Sequence, residues 1–232
     1  MSDFPVVLGI TYGGHDSSAC LSVDGKLVAA CEEERFTKEK HTRDFPIFAI
    51  NECLKKAGKS IDDVNEIGFI FNPMLIIKEK YLRSALEDEK RIEFLINDIN
   101  RIKDTLNIES TIREKTGFKG KISFHLHHLC HLASSYYVSG FNESLLMSHD
   151  GMGEIDCSLI GAGKDNKITV LKQGTRYPNS LGLFYSAITH YLGWKHHSDE
   201  GIVMGLAPFG DDKQIVKSCN KTYEDIFKEI IY

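Results

Sequence analysis

Apolar runs broken by glycine turns open the chain. Residues 6–10 (VVLGI) predict a short buried strand, and the polar stretch 11–19 (TYGGHDSSA) predicts a turn. Residues 20–35 (CLSVDGKLVAACEEER) then predict a strand, an Asp24-Gly25 hairpin and a further strand. Over 45–57 the period changes to a helical one, with Ala49, Ile50, Cys53, Leu54 and Ala57 on one face. Pro46 suits the first turn of that helix and Gly58 its end. IGFIF at 67–71 predicts a buried strand, so the order so far is β-β-β-α-β.

Residues 75–116 break this pattern. Lys, Glu, Asp and Arg dominate, with apolar positions at Leu95, Ile99, Ile102 and Leu106, which predicts one or two long exposed amphipathic helices inserted on the core. A short strand at 122–124 follows and leads into a histidine-rich helix. From Leu145 the opening pattern returns as strand, DGMGE turn, strand (157–162), Lys164-Asp165-Asn166 turn and strand (168–171). A pattern that occurs twice suggests a duplicated domain with a cleft between its halves. Residues 180–192 (SLGLFYSAITHYL) predict a helix, Ser198 precedes a capped helix ending at Pro208, and the tail 211–232 reads as one amphipathic segment.

Bulk composition narrows the function classes. The 232 residues suffice for one large or two small domains, and 26% charged with 42% hydrophobic residues is ordinary for a globular protein. The formal net charge of −5, with no basic face in the sequence, argues against nucleic acid as a partner. Six cysteines without a CxxC pair read as free thiols of a reducing cytoplasm. The N-terminus has no signal-peptide pattern and no apolar run is long enough for a membrane helix.

Candidate chemistry concentrates between 125 and 154. His127 and His131 are four apart, about 40° from each other on one helix face, so both imidazoles can reach one metal ion. His128 points roughly 100° away, toward a substrate or a supporting partner. Asp150 arrives at the end of an apolar strand, giving two nitrogens and an oxygen that suit Fe(II), Mn(II) or Zn(II). The plain alternative is a polar histidine patch. The Gly13-Gly14 turn, followed by His15, Asp16, Ser17 and Ser18, offers backbone N–H groups and hydroxyls to phosphate oxygens, or is a decorated hairpin turn. Cys130 faces away from the histidine pair and reads as a structural thiol.

GGHDSSA at 13–19, EEERF at 32–36 with Lys40-His41, HHLCH at 127–131, HDGMGE at 149–154, SLGLFYSA at 180–187 and DEGIVMGLAPFG at 199–210 together resemble the N-terminal domain of the carbamoyltransferases that decorate nodulation factors and antibiotics. The resemblance implies a duplicated actin/Hsp70-type (ribonuclease H-like) α/β domain, shared with the tRNA threonylcarbamoyl-transfer proteins. It divides the chain into a first half at 1–125 carrying the insertion, and a second at 126–232 that starts with the metal helix and is truncated. It implies an Fe(II)-type metal on His127, His131 and Asp150, His15 acting on the acceptor hydroxyl as base or by orienting it, and Ser17 with the Gly151, Gly153 and Glu154 turn against the nucleotide. It further implies ATP and carbamoyl phosphate as substrates, joined as carbamoyladenylate by a domain outside this sequence, and a hydroxyl on a small molecule or glycan as acceptor. A further metal-ligand aspartate of the family falls beyond the last residue, so the resemblance implies that this piece does not turn over alone. Leu132 and Ile202 depart from the family's Ala and Lys without touching a proposed ligand.

Two other readings stand beside this one: a non-catalytic nucleotide- or metal-binding module, and a sugar- or acetate-kinase-like phosphotransferase. Paired imidazoles disfavour the last, whose Mg²⁺ is held by carboxylates and waters. The charged stretch at 75–116 is either a homodimer face or a solvated surface.

Overall fold

In the computed structural model, which describes residues 5–231, the chain is a mixed α/β protein with two main sheets. Residues 1–4 of the expected first half and Tyr232 at the end of the tail lie outside the described residues. The first sheet has the order β3-β2-β1-β4-β5, from β1 (Val6–Thr11), β2 (Ser18–Val23), β3 (Lys26–Glu32), β4 (Glu66–Phe69) and β5 (Lys121–Phe124). β1, β2 and β3 form an antiparallel meander, whereas β4 and β5 add in parallel on the other edge of β1. The β2–β3 hairpin turns at Asp24 and Gly25, both at positive φ (54° and 70°), the conformation that a tight two-residue connection requires.

Alternation along β1 sends Val6, Leu8 and Ile10 to one face. They meet Leu21 of β2, Ile67 and Phe69 of β4, and Ile50, Cys53 and Leu54 of a helix. After a one-turn helix, α1 (Glu34–Thr37), that helix is α2 (Ile47–Lys56). Burying each large apolar side chain here contributes about 1.5–3 kcal/mol. Glu33 sits inside the same region at 1% exposure, its carboxylate accepting from the N–H groups of Phe48 (3.2 Å) and Ala49 (2.8 Å). An acidic residue of the EEERF run is thus a buried cap for α2, placed where the helix dipole favours negative charge.

The insertion is not one or two long helices. It runs as α3 (Pro73–Leu75), a π-helical stretch (Ile76–Arg83), α4 (Ser84–Glu87), a 3₁₀ turn (Glu89–Arg91), α5 (Ile92–Asn97), α6 (Ile99–Leu106) and α7 (Ile108–Thr116). Asp88 is extended (φ −146°, ψ 112°) and Asp98 and Asn107 sit near ψ 10°, so short polar residues break the helix at each point. Ile77, Tyr81 and Ile102 close a small core of their own, while Ile112 of α7 is fully buried in the main core. The expected exposed face therefore holds for part of the stretch only.

The second sheet is another antiparallel meander, β6 (Glu143–His149), β7 (Ser158–Lys164) and β8 (Lys167–Gln173). Against it packs α8 (His127–Tyr136), through Leu132 and Tyr136 on Leu146 and Leu159. Gly163 makes room for the Tyr136 ring, which a Cβ there would meet at 2.5 Å. The Tyr136 hydroxyl then serves the carbonyls of Asn142 and Asp165, both at 2.9 Å. α9 (Leu181–Tyr191) and α10 (Glu200–Leu206) follow. The tail differs from the single segment expected: a small hairpin, β9 (Ile215–Val216) with β10 (Lys221–Thr222), precedes α11 (Tyr223–Ile231). The cap of α10 is Asp199 rather than Ser198, and its side chain makes no capping bond.

Candidate metal centre

The first turn of α8 and the end of β6 bring three ligand atoms together. His127 Nε2 lies 2.7 Å from Asp150 Oδ2, and His131 Nε2 lies 2.9 Å from His127 Nε2 and 3.3 Å from the same carboxylate oxygen. Helical spacing supplies the two imidazoles and the strand end supplies the carboxylate, as the sequence predicts. The His127 side chain is 11% exposed, His131 47% and Asp150 39%, so the site is walled on one side and open on the other. Hydrogen bonds from His127 and then His131, against the opposing effect of burial, hold the Asp150 carboxyl far below the usual carboxylate range. Asp150 is therefore an anion ready to act as a ligand.

The surroundings fix these atoms. Phe71 lies flat on the His127 ring, with centroids 4.5 Å apart and planes at 8°. Glu154, 4% exposed, accepts from the main-chain N–H of Asn72 (2.8 Å) and of His127 (3.3 Å to each oxygen). The Glu154 carboxylate, which the resemblance sets against the nucleotide, is taken up by main-chain donors and anchors the start of the metal helix. Gly153 lets the turn press on that helix, since a Cβ would come within 3.0 Å of His127 Cβ. Gly151 donates its N–H to Asp150 Oδ1 at 2.6 Å.

His128 takes the supporting role that was one of its two expected uses. It is buried, its Nε2–H donating to the Asp156 carbonyl (2.8 Å), so Nδ1 accepts from Ser148 Oγ (2.8 Å). Burial, followed by the neighbouring His127, pushes its pKa down, which matches a neutral ring with one donor and one acceptor nitrogen. Cys130 is also shielded; burial raises its thiol to about 11, the value of an inert structural group.

Two contributors escaped sequence reasoning. Ser180 caps α9 by accepting from Leu183 N (3.1 Å) and donates its hydroxyl to the Asp150 carbonyl (2.9 Å). Gly182 abuts the same turn so closely that a Cβ would stand 2.6 Å from Gly151 N and 2.7 Å from the Asp150 carbonyl carbon. The serine-then-glycine start of SLGLF was the available signal, but only the fold shows which turn it presses on.

His15 and Ser17 lie at the mouth of the first meander and outside the three-ligand cluster. Ser17 is 2% exposed and its Oγ has no partner among the described residues. His15 forms a second cluster with Asp16 and His41, a grouping the sequence reading did not make. Gly13, at φ 76°, closes the turn by donating its N–H to the Arg43 carbonyl at 2.9 Å.

An α/β chain that sets two imidazoles of one helix turn beside a strand-end carboxylate has the donor set of a divalent-metal protein. Residues 6–231 match the family described as carbamoyltransferase N-terminus, and the chain belongs to that family. Among its relatives is protein sll1178 of Synechocystis, uncharacterized, 36% identical over 90% of this chain and 35% of its own length. The nodulation protein NolNO of Sinorhizobium fredii is 32% identical over 85% of this chain and 28% of its own length. The chain thus spans about a third of the length of these relatives. A solved structure of YeaZ from Pseudomonas aeruginosa superposes at a TM-score of 0.41, with 12% identity over 75% of this chain and 68% of that one, and adds nothing to the family assignment. No helix among the described residues is long and apolar enough to cross a membrane.

Proposed function

We propose that this chain is the transfer domain of an O-carbamoyltransferase, passing a carbamoyl group from carbamoyladenylate to a hydroxyl of a small molecule or glycan. The observation that carries this is the convergence of His127, His131 and Asp150 in a member of the carbamoyltransferase N-terminal family. The three residues fit a divalent metal: two imidazole nitrogens and an ionised carboxylate oxygen lie within 4.8 Å of one another on an open side. Fe(II) is the metal proposed, with Mn(II) and Zn(II) compatible with the same donors. Bound there, the ion would supply Lewis-acid polarisation of the carbamoyl carbonyl.

The chain's own residues do the rest. Phe71 and Glu154 hold His127 in place, Ser180 and Gly182 hold the Asp150 turn, and the open side leaves His131 and Asp150 accessible to substrate. Ser17 and the turn of Gly151, Gly153 and Glu154 are proposed to lie against the nucleotide, and His15 to act on the acceptor hydroxyl. The two meanders are proposed to be the openings of two related, actin-type halves. Carbamoyladenylate is proposed to form from ATP and carbamoyl phosphate on a further domain of the same polypeptide, in the cytoplasm. The six free cysteines, none in a disulfide, support that compartment.

The test uses intact polypeptide supplied with ATP, labelled carbamoyl phosphate and a panel of hydroxyl acceptors. AMP release with label transfer is expected, and His127→Ala with His131→Ala should abolish transfer while adenylate formation persists. Adenylate formation without transfer to any acceptor, in the wild type as in the double variant, would leave the non-catalytic module in front.

A further inference from the structure

The ring of His15 is held from both sides by acceptors. Its Nδ1 lies 2.6 Å from Asp16 Oδ2, and its Nε2 lies 2.6 Å from the main-chain carbonyl of His197. A carbonyl oxygen can only accept, and an ionised carboxylate can only accept. A neutral imidazole has one donor nitrogen and one bare nitrogen, so one of these two short contacts would set lone pair against lone pair. Only the doubly protonated ring satisfies both.

Each holder is itself held. The other oxygen of Asp16 takes Nδ1 of His41 at 2.9 Å, so one carboxylate bridges two imidazoles whose centroids are 4.6 Å apart. His41 stands at φ 58°, with its main-chain N–H on Glu34 Oε2 (2.9 Å). On the far side His197 stands at φ 59°, and its main-chain N–H donates to Glu200 Oε1 at 2.6 Å. That same oxygen accepts from Ser186 Oγ at 2.6 Å. Two non-glycine residues in the left-handed region, which costs about 1 kcal/mol or more each, persist only where surrounding bonds over-determine them. They flank His15 from residues 26 and 182 positions away in the chain.

We propose that Asp16 and the His197 carbonyl are positioning groups that clamp His15 as an imidazolium, a hydrogen-bond donor rather than a base. If His15 serves the acceptor hydroxyl, as the proposed function has it, the acceptor oxygen takes the place of the His197 carbonyl on Nε2–H. His15 then orients the hydroxyl and takes no proton from it while the Asp16 bond is kept. The segment 193–199, which starts at Gly193 (φ 95°) and ends on the Glu200 anchor, is the piece that has to give way.

Electrostatics agree with the geometry. Burial works to lower the His15 pKa, but the His197 carbonyl and the Asp16 carboxylate outweigh it and the net direction is up. Burial works to raise Asp16, and the hydrogen bonds from His41 and His15 bring it below its ordinary value. Arg43 opposes the charge on His15 and on His197, while Glu200 favours it on His197 and the neighbouring His196 opposes it. A raised folded pKa means that the stability contributed by His15 is complete below about pH 6.5 and is lost as pH rises through the folded value.

The experiment is NMR of the 232-residue chain carrying isotope-labelled histidine. Long-range nitrogen–proton correlations read the protonation of each imidazole nitrogen directly. Near neutral pH, wild-type His15 should show both nitrogens protonated and titrate above the ordinary imidazole value. Asp16→Asn should lower its midpoint by about one unit, a tenfold loss of proton affinity. Glu200→Gln, which loosens the carbonyl without touching Asp16, should lower it by less. A wild-type His15 with one bare nitrogen at neutral pH overturns the proposal even if neither variant folds, as does an unchanged midpoint in Asp16→Asn. None of these readings depends on carbamoyl transfer, so failure of the clamp and failure of the proposed function are separable.

Discussion

Replacing Glu154 with alanine removes an acceptor from two main-chain donors at once. The carboxylate is 4% exposed and takes the N–H groups of Asn72 at 2.8 Å and His127 at 3.3 Å. A buried N–H left without a partner costs about 1–3 kcal/mol. Loss of a negative charge at a helix N-terminus adds about 0.3–1 kcal/mol. Partial relaxation offsets some of this, and the expected loss is roughly 2–5 kcal/mol. Glu154→Gln keeps one accepting oxygen but turns an amide N–H₂ toward the remaining donor, so it should cost about half as much. Urea unfolding at constant m-value reads both variants. A Glu154→Ala loss below about 0.5 kcal/mol, the range of ordinary surface substitutions, would refute the anchoring role.

Gly182→Ala forces a Cβ against the main chain of Asp150 and Gly151, which cannot swing aside as a side chain would. Metal affinity should fall at least about tenfold, whereas Gly201→Ala, with nothing within 4 Å, should leave it unchanged; equal affinities in a metal titration would contradict the packing argument. Gly163→Ala drives a methyl into the Tyr136 ring and should destabilise the chain by about 1–3 kcal/mol in the same urea assay, with an unchanged midpoint counting against it. The imidazoles must be free of protons to bind metal, so occupancy should fall on acidification, approaching hundredfold per pH unit where both compete with protons. Asp150, held down by its histidine donors, is not the limiting group, so an occupancy that does not fall on acidification would exclude the two histidines as ligands.

Features written within one element were legible in the sequence. The i, i+4 spacing of His127 and His131, the apolar run ending at Asp150 and the Asp24-Gly25 hairpin all follow from local periodicity and turn chemistry. Contacts between distant segments were not legible. Glu33, to which its run assigns no role, and Glu154 of the DGMGE turn are both buried caps on helices whose first residues they reach across the fold. The insertion looked like long helices because charge and apolar spacing continue through Asp88, Asp98 and Asn107. Those residues have short polar side chains that compete with the helical backbone, and the local core of Ile77, Tyr81 and Ile102 settles the broken path. The pairing of His15 with His41 through Asp16 depends on where the 38–44 loop docks, which no periodicity encodes.

The central claim is that His127, His131 and Asp150 hold one divalent metal. Anaerobic titration of the 232-residue chain with Fe(II), beside the His127→Ala, His131→Ala double variant, tests it most directly. One equivalent bound by the wild type and none by the variant is the predicted result. Equal uptake by the two proteins would contradict it.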